Sequence, residues 1–150
     1  LKLVDKDKVI DGIDFIFSKR ITTEKVEKPI PANNENSGFR PLNLKFPKSQ
    51  YKLVMTDELK TYFDDLKQYL AEHKNAKVSI VGHTDNTGNR KDNMRISKYR
   101  VRKVRDYLVK QRISLKRIHI DYKGPDEPIA SNDTEEGREK NRRVEIRVTE

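Results

Sequence analysis

Asp85, Asn93 and Arg100 are the residues of this chain whose types and spacing could do chemistry together. Asp85 lies in Gly82-His83-Thr84-Asp85-Asn86-Thr87-Gly88, a polar stretch directly after the apolar run Val78, Ile80 and Val81. An apolar run feeding such a stretch reads as a strand end and a turn. From Lys91 onward the spacing becomes helical, so Asn93, Ile96 and Arg100 at i, i+3 and i+7 share one face. A carboxylate, an amide, a planar cation and the free N–H groups of a turn holding Thr87, Gly88 and Asn89 would make a small polar pocket. Such a pocket suits a zwitterion: Asp85 takes an ammonium, and Arg100 with the N–H groups takes a carboxylate. A plainer reading stays open, in which Asp85 caps or pairs internally and Arg100 is a surface ion pair of little weight.

Other chemistries find less support in the same stretch. His83 and Asp85, with Asp92, could be read as metal ligands, but no third ligand has a recognisable spacing. No catalytic constellation is visible: Ser97 falls on the apolar stripe of the helix, and no GxSxG elbow surrounds it. The glycines of the turn do not open a phosphate loop, because Asn89-Arg90 stands where Lys-Ser/Thr is required. Arg95, Lys98, Arg100, Arg102, Lys103 and Arg105 could contact phosphates. Their cations lie all round the helix, however, and no paired aromatics accompany them, so a nucleic-acid partner is not expected.

Several elements must position these residues. Leu42, Leu44 and Phe46 alternate as a short strand ended by Pro47. Thr56 can cap a helix running to His73, with Leu59, Phe63, Leu66 and Leu70 on its apolar side. The Val78–Val81 strand follows. A second helix spans about Lys91 to Gln111, with Ser97, Val101, Val104 and Leu108 as its buried stripe. Ile118, Ile120 and Tyr122 form a third strand, Thr134 begins a short helix, and Val144, Ile146 and Val148 form the last strand. The order predicts an α/β fold, β-α-β-α-β-(short α)-β, with a mixed sheet and helices packed on one face. Asn141-Arg142-Arg143 leads into that last strand, so Arg142 or Arg143 either braces the site by pairing with a loop acid or sits in solvent.

Upstream, residues 1–28 read as N-terminal strands, with Ile13, Phe15 and Phe17 alternating, and are too short to hold a core alone. They are expected to end an upstream domain. Residues 29–41, rich in Pro, Asn, Ser and Gly, read as a linker. The main domain is expected over 42–150.

The 150-residue chain is 38% charged, 33% apolar and carries a net charge of +9. The balance invites a polyanionic partner or simply a solvated skin. With no cysteine there are no disulfides and no thiolate metal sites. No apolar run reaches the ~18 residues of a membrane span.

The residues reviewed above resemble the OmpA-like peptidoglycan-binding domain, a superfamily that includes the related MotB and Pal domains. That family shows GHTDxxG, then N, then LSxxRA, then VxxYL. Here the series is Gly82-His83-Thr84-Asp85-Asn86-Thr87-Gly88, Asn93, Ile96-Ser97, Arg100 and Val104-Arg105-Asp106-Tyr107-Leu108. Tyr122, Gly124, Gly137-Arg138 and Asn141-Arg142-Arg143-Val144-Glu145 continue it, and the likeness covers about residues 40–150.

The resemblance implies a non-enzymatic cell-wall anchor without cofactor or metal. In it Asp85 and Arg100 grip the diaminopimelate of the stem peptide, supported by Gly88, Asn93 and Ile96. The partner it implies is peptidoglycan, reached from the periplasm by a protein attached to the outer membrane through parts outside this stretch. A stator-like protein-interaction module is the alternative, and an oligomer is left open. Two departures stand out. The acidic residues that often flank the first strand's Phe are replaced by Lys45 and Pro47 around Phe46. Val101 follows Arg100 where Ala is usual.

Overall fold

The computed structural model describes residues 38–150. The strands expected in 1–28 and most of the expected linker lie outside the described residues. Among the described residues, the elements are β1 (Leu42–Lys45), α1 (Asp57–Glu72), β2 (Lys77–His83), α2 (Arg90–Lys110), β3 (Ile118–Gly124), α3 (Glu135–Asn141) and β4 (Arg143–Thr149). A single 3-10 turn, Leu115–Arg117, joins α2 to β3. This is the expected order and class.

Each helix starts where its sequence offers a cap. The Thr56 hydroxyl accepts from Leu59 N–H at 3.1 Å, and Asp57 and Glu58 add negative charge to the first turn of α1. Asn89 accepts from Asp92 N–H at 2.8 Å, so α2 begins at Arg90, one residue earlier than its periodicity suggests. Thr134 does the same for α3 through Gly137 N–H.

The C-terminal end of α1 has no basic side chain in its last turn. Arg117 supplies one from across the fold, donating to the carbonyls of Leu70, His73 and Ala76. The Leu70 carbonyl lies in the last turn of α1 and the other two in the loop that follows, so a cation there meets the helix's carboxyl end and matches its dipole.

The sheet order is β1-β4-β2-β3. β2 and β3 are parallel, with α2 as their crossover, whereas β4 lies antiparallel to both β2 and β1. The register pairs Leu44 with Val144, and Ile80 with both Ile146 and Ile120. Val78 and Ile80, with Val144, Ile146 and Val148, therefore share the face covered by helices. Leu59, Phe63, Leu66 and Leu70 of α1, and Val101, Val104 and Leu108 of α2, complete the core. Gly82 lets α2 approach: a Cβ there would sit 2.6 Å from the Ser97 carbonyl oxygen and 2.8 Å from Val101 Cγ1. The same alternation turns Ser79, Val81, Arg143, Glu145 and Arg147 to the other face. Among the described residues no helix is long and apolar enough to cross a membrane.

Candidate functional site

The site forms where β2 ends. Thr84 N–H still bonds to the Gly124 carbonyl at 2.8 Å, which holds the chain against β3 for one residue more. Asp85 follows, 4% exposed. Its Oδ1 accepts from Thr87 N–H at 2.9 Å and from the Thr87 hydroxyl. Gly88 adopts φ +82° next, with open space where a Cβ would lie, so the backbone conformation rather than crowding asks for glycine there. Asn93 reaches back from the first turn of α2 and donates to the Thr87 carbonyl at 2.9 Å. The loop is thus tied at both ends.

Arg142, at the threshold of β4, donates Nη1–H to Asp85 Oδ2 at 2.8 Å and Nη2–H to Glu135 Oε2 at 2.8 Å. The Asp85–Arg142 pair is nearly dry, with side chains 5% and 7% exposed respectively. Burial alone would push the Asp85 carboxyl up. The Thr87 and Arg142 hydrogen bonds outweigh it and hold the carboxyl below its ordinary value. Asp85 is therefore a carboxylate near neutrality, with acceptor capacity left on Oδ2.

Arg100 is 1% exposed, so it is no surface ion pair. Its Nε–H goes to the Gln50 carbonyl at 2.7 Å, Nη1–H to His83 at 3.0 Å and Nη2–H to Pro47 at 3.1 Å. The guanidinium lies 5.0 Å over the Phe46 ring. Burial first, then the Arg142 charge, lowers its pKa to about 10, and the Asp85 charge opposes them. Arg100 stays a cation at neutral pH. Three of its five N–H groups are used, and the remaining two can meet a ligand.

Asp85, Arg100, Asn93, Thr87 and Ile96 all line one depression, together with Arg142 and three residues the sequence did not suggest: Lys48, Ser49 and Thr84. Gly88 and Asn89 line an adjoining groove. The two arginines expected as alternatives for bracing part company. Arg142 joins the site, while Arg143 turns to the other face and pairs with Glu145 at 2.7 Å. His83 is buried on that face too, its Nε2 3.6 Å from Glu145 Oε2, too long for a hydrogen bond. Among the described residues no cluster of three or more metal-ligating side chains occurs. The wall contributed by Lys48 and Ser49 comes from the turn after β1, where Ser49 takes φ 58°. Pro47 in Phe46-Pro47-Lys48-Ser49 hints at a turn, but nothing local says that the turn faces Arg100.

The sequence profile of the OmpA family matches residues 45–142, which contain every residue of this depression. The chain belongs to the OmpA family. Within that family it is 42% identical over 80 residues to the probable lipoprotein YiaD of Escherichia coli, a match covering 53% of this chain and 36% of the relative. It is 49% identical over 73 residues to the peptidoglycan-binding protein ArfA of Mycobacterium tuberculosis, covering 49% of this chain and 22% of that protein. The chain thus spans well under half the length of these OmpA-family relatives. In structure it is similar to the peptidoglycan-associated lipoprotein of Burkholderia pseudomallei. The TM-score is 0.66 at 22% identity, over 71% of this chain and 89% of the other, a likeness of fold.

Proposed function

We propose that residues 42–150 bind peptidoglycan non-covalently through the diaminopimelate of its stem peptide. By that contact the domain holds an envelope protein to the cell wall from the periplasmic side, with outer-membrane attachment supplied by other parts of the protein. The observation that carries this reading is the juxtaposition of a buried carboxylate and a buried guanidinium on one depression, each with hydrogen-bonding capacity left. The distal centre of diaminopimelate presents an ammonium and a carboxylate on one carbon, and no other part of the stem peptide does. Asp85 takes the ammonium; Arg100 takes the carboxylate. The relative ArfA is named for binding peptidoglycan, which supports the choice of partner though not of the residue within it.

The charge of the wall adds to the argument. Lys48, Arg100 and Arg142 face the depression against Asp85, so it favours a ligand with more carboxylates than ammonium groups. Charge-assisted hydrogen bonds contribute roughly 1.5–3 kcal/mol each. Two or three correspond to millimolar to micromolar affinity, given ~4 kcal/mol for a millimolar and ~8 kcal/mol for a micromolar Kd. Many copies on one wall then hold by avidity.

The test is co-sedimentation with purified sacculi, beside titration with a diaminopimelate muropeptide and its lysine counterpart. Wild type sediments and prefers the diaminopimelate ligand, while Asp85→Asn and Arg100→Lys stay folded and in the supernatant. Wild-type sedimentation by both variants, or equal affinity for the lysine muropeptide, would sink the assignment.

A further inference from the structure

The depression does not end at Ile96. A groove continues from it along the outer side of α2, sharing Ser49, Thr87, Asn93 and Ile96 with it and closing on Tyr51 and Tyr99. The two tyrosine rings lie 5.0 Å apart, tilted by 58°, one from the loop after β1 and one from α2. Tyr51 is 42% exposed. No core packing explains two rings meeting there, since neither belongs to the core cluster or packs against it. Arg95, held to Asp92 at 3.0 Å and half exposed, adds N–H donors on the rim.

We propose that Tyr51 and Tyr99 form a sugar subsite, taking the N-acetylmuramyl end of the same peptidoglycan unit whose diaminopimelate occupies the Asp85–Arg100 depression. The inference rests on the reading of that depression given above. Two lines favour a sugar. The first is reach. Asn93 and Tyr99 are about 9 Å apart along the helix axis. The lactyl ether, L-Ala and γ-linked D-Glu between diaminopimelate and sugar span roughly 15 Å when extended, so they cover that distance without being fully stretched. A stem peptide seated at Asp85 and laid along α2 therefore delivers its sugar to the tyrosines. The second is chemistry. A pyranose shows one face of C–H bonds and a rim of hydroxyl and amide groups. Tyrosine rings with polar tips suit the first, and Arg95 suits the second.

The experiment is a calorimetric titration of the folded chain with two ligands, the L-Ala-D-Glu-diaminopimelate tripeptide and the same tripeptide carrying N-acetylmuramic acid. For wild type the sugar tightens binding roughly three- to tenfold, the gain an aromatic contact supplies. In Tyr51→Ala/Tyr99→Ala that gain disappears and tripeptide affinity is unchanged; in Tyr51→Phe/Tyr99→Phe it survives. In wild type the sugar's ring protons also shift upfield in NMR spectra, a readout independent of any variant. No gain from the sugar, or equal weakening of both ligands in the alanine variant, would overturn the subsite while leaving the diaminopimelate reading intact. Failure of wild type to bind either ligand would overturn both.

Discussion

Replacing Arg142 with methionine tests whether the depression is held by a buried charge pair. Methionine keeps much of the side-chain volume but leaves Asp85 with only its Thr87 hydrogen bonds, in a position 5% exposed. Removing one partner of a buried ion pair costs about 3–5 kcal/mol, chiefly because the other charge stays buried. The exposed Glu135 arm of Arg142 adds little to that. Against a total stability of ~5–15 kcal/mol the loss is large, and at a slope of ~1–3 kcal/mol per molar urea the midpoint falls by about 1 M or more.

The deficit must also depend on pH. Asp85 is held below its ordinary value near 3.8, so the stability it contributes is present above that value and lost as pH falls through the folded value. Arg142→Met lifts the Asp85 pKa in the folded state. The variant is therefore furthest from wild type at neutral pH and draws closer on acidification, as Asp85 takes up a proton and no longer needs a counter-charge. Asp85→Asn should recover part of the loss, with a coupling energy of roughly 0.5–3 kcal/mol in the double-mutant cycle. Urea melts at several pH values read all three quantities. A deficit under about 1 kcal/mol at pH 7, or one that is constant down to the acid limb, would refute the argument.

Two further variants probe how the site is positioned. Arg117→Ala strips three carbonyls at the end of α1 of a charged donor, and at ~0.5–1.5 kcal/mol per bond it should cost about 2–4 kcal/mol in urea melts. A cost near zero would mean that solvent replaces the guanidinium. Gly82→Ala pushes a methyl group into the Ser97 backbone; overpacking of ~1–3 kcal/mol is expected, with chemical-shift changes reaching Asn93 and Arg100 as α2 is displaced. Shifts confined to residues 80–84 would show that the helix does not move.

What the sequence disclosed is what local patterns carry. Thr56 with its apolar followers, the Ser97–Val101–Val104–Leu108 stripe and the alternation of Val144, Ile146 and Val148 each report on elements within a few turns or residues. They were enough for the element order and for placing Asp85, Asn93 and Arg100 together. They were not enough to choose between Arg142 and Arg143. Arg142 immediately precedes β4 and Arg143 opens it, and consecutive residues along extended chain point to opposite faces, so only one of them could reach Asp85, and the register of β4 against β2 decides which. Arg100 was legible as a residue off the core stripe, but its grip on the Pro47 and Gln50 carbonyls was not, because those acceptors lie 53 and 50 residues away. Arg117 is similar, with acceptors 41 to 47 residues distant. Tyr51 sits in an irregular segment with no periodicity to announce it.

The position of β4 has a consequence for how such a chain comes into being. A strand that is late in the sequence stands in the interior of the sheet, and among the described residues β1 has β4 as its sole neighbour there. A growing chain that has produced everything through α3 still lacks the strand that joins β1 to β2, and that strand follows β1 by about a hundred residues. Closing that gap is a single late, long-range event. Arg142 arrives immediately before this strand, so the event that seals the sheet also delivers the guanidinium to Asp85. Docking of β4 and formation of the Asp85–Arg142 pair therefore belong to the same folding step.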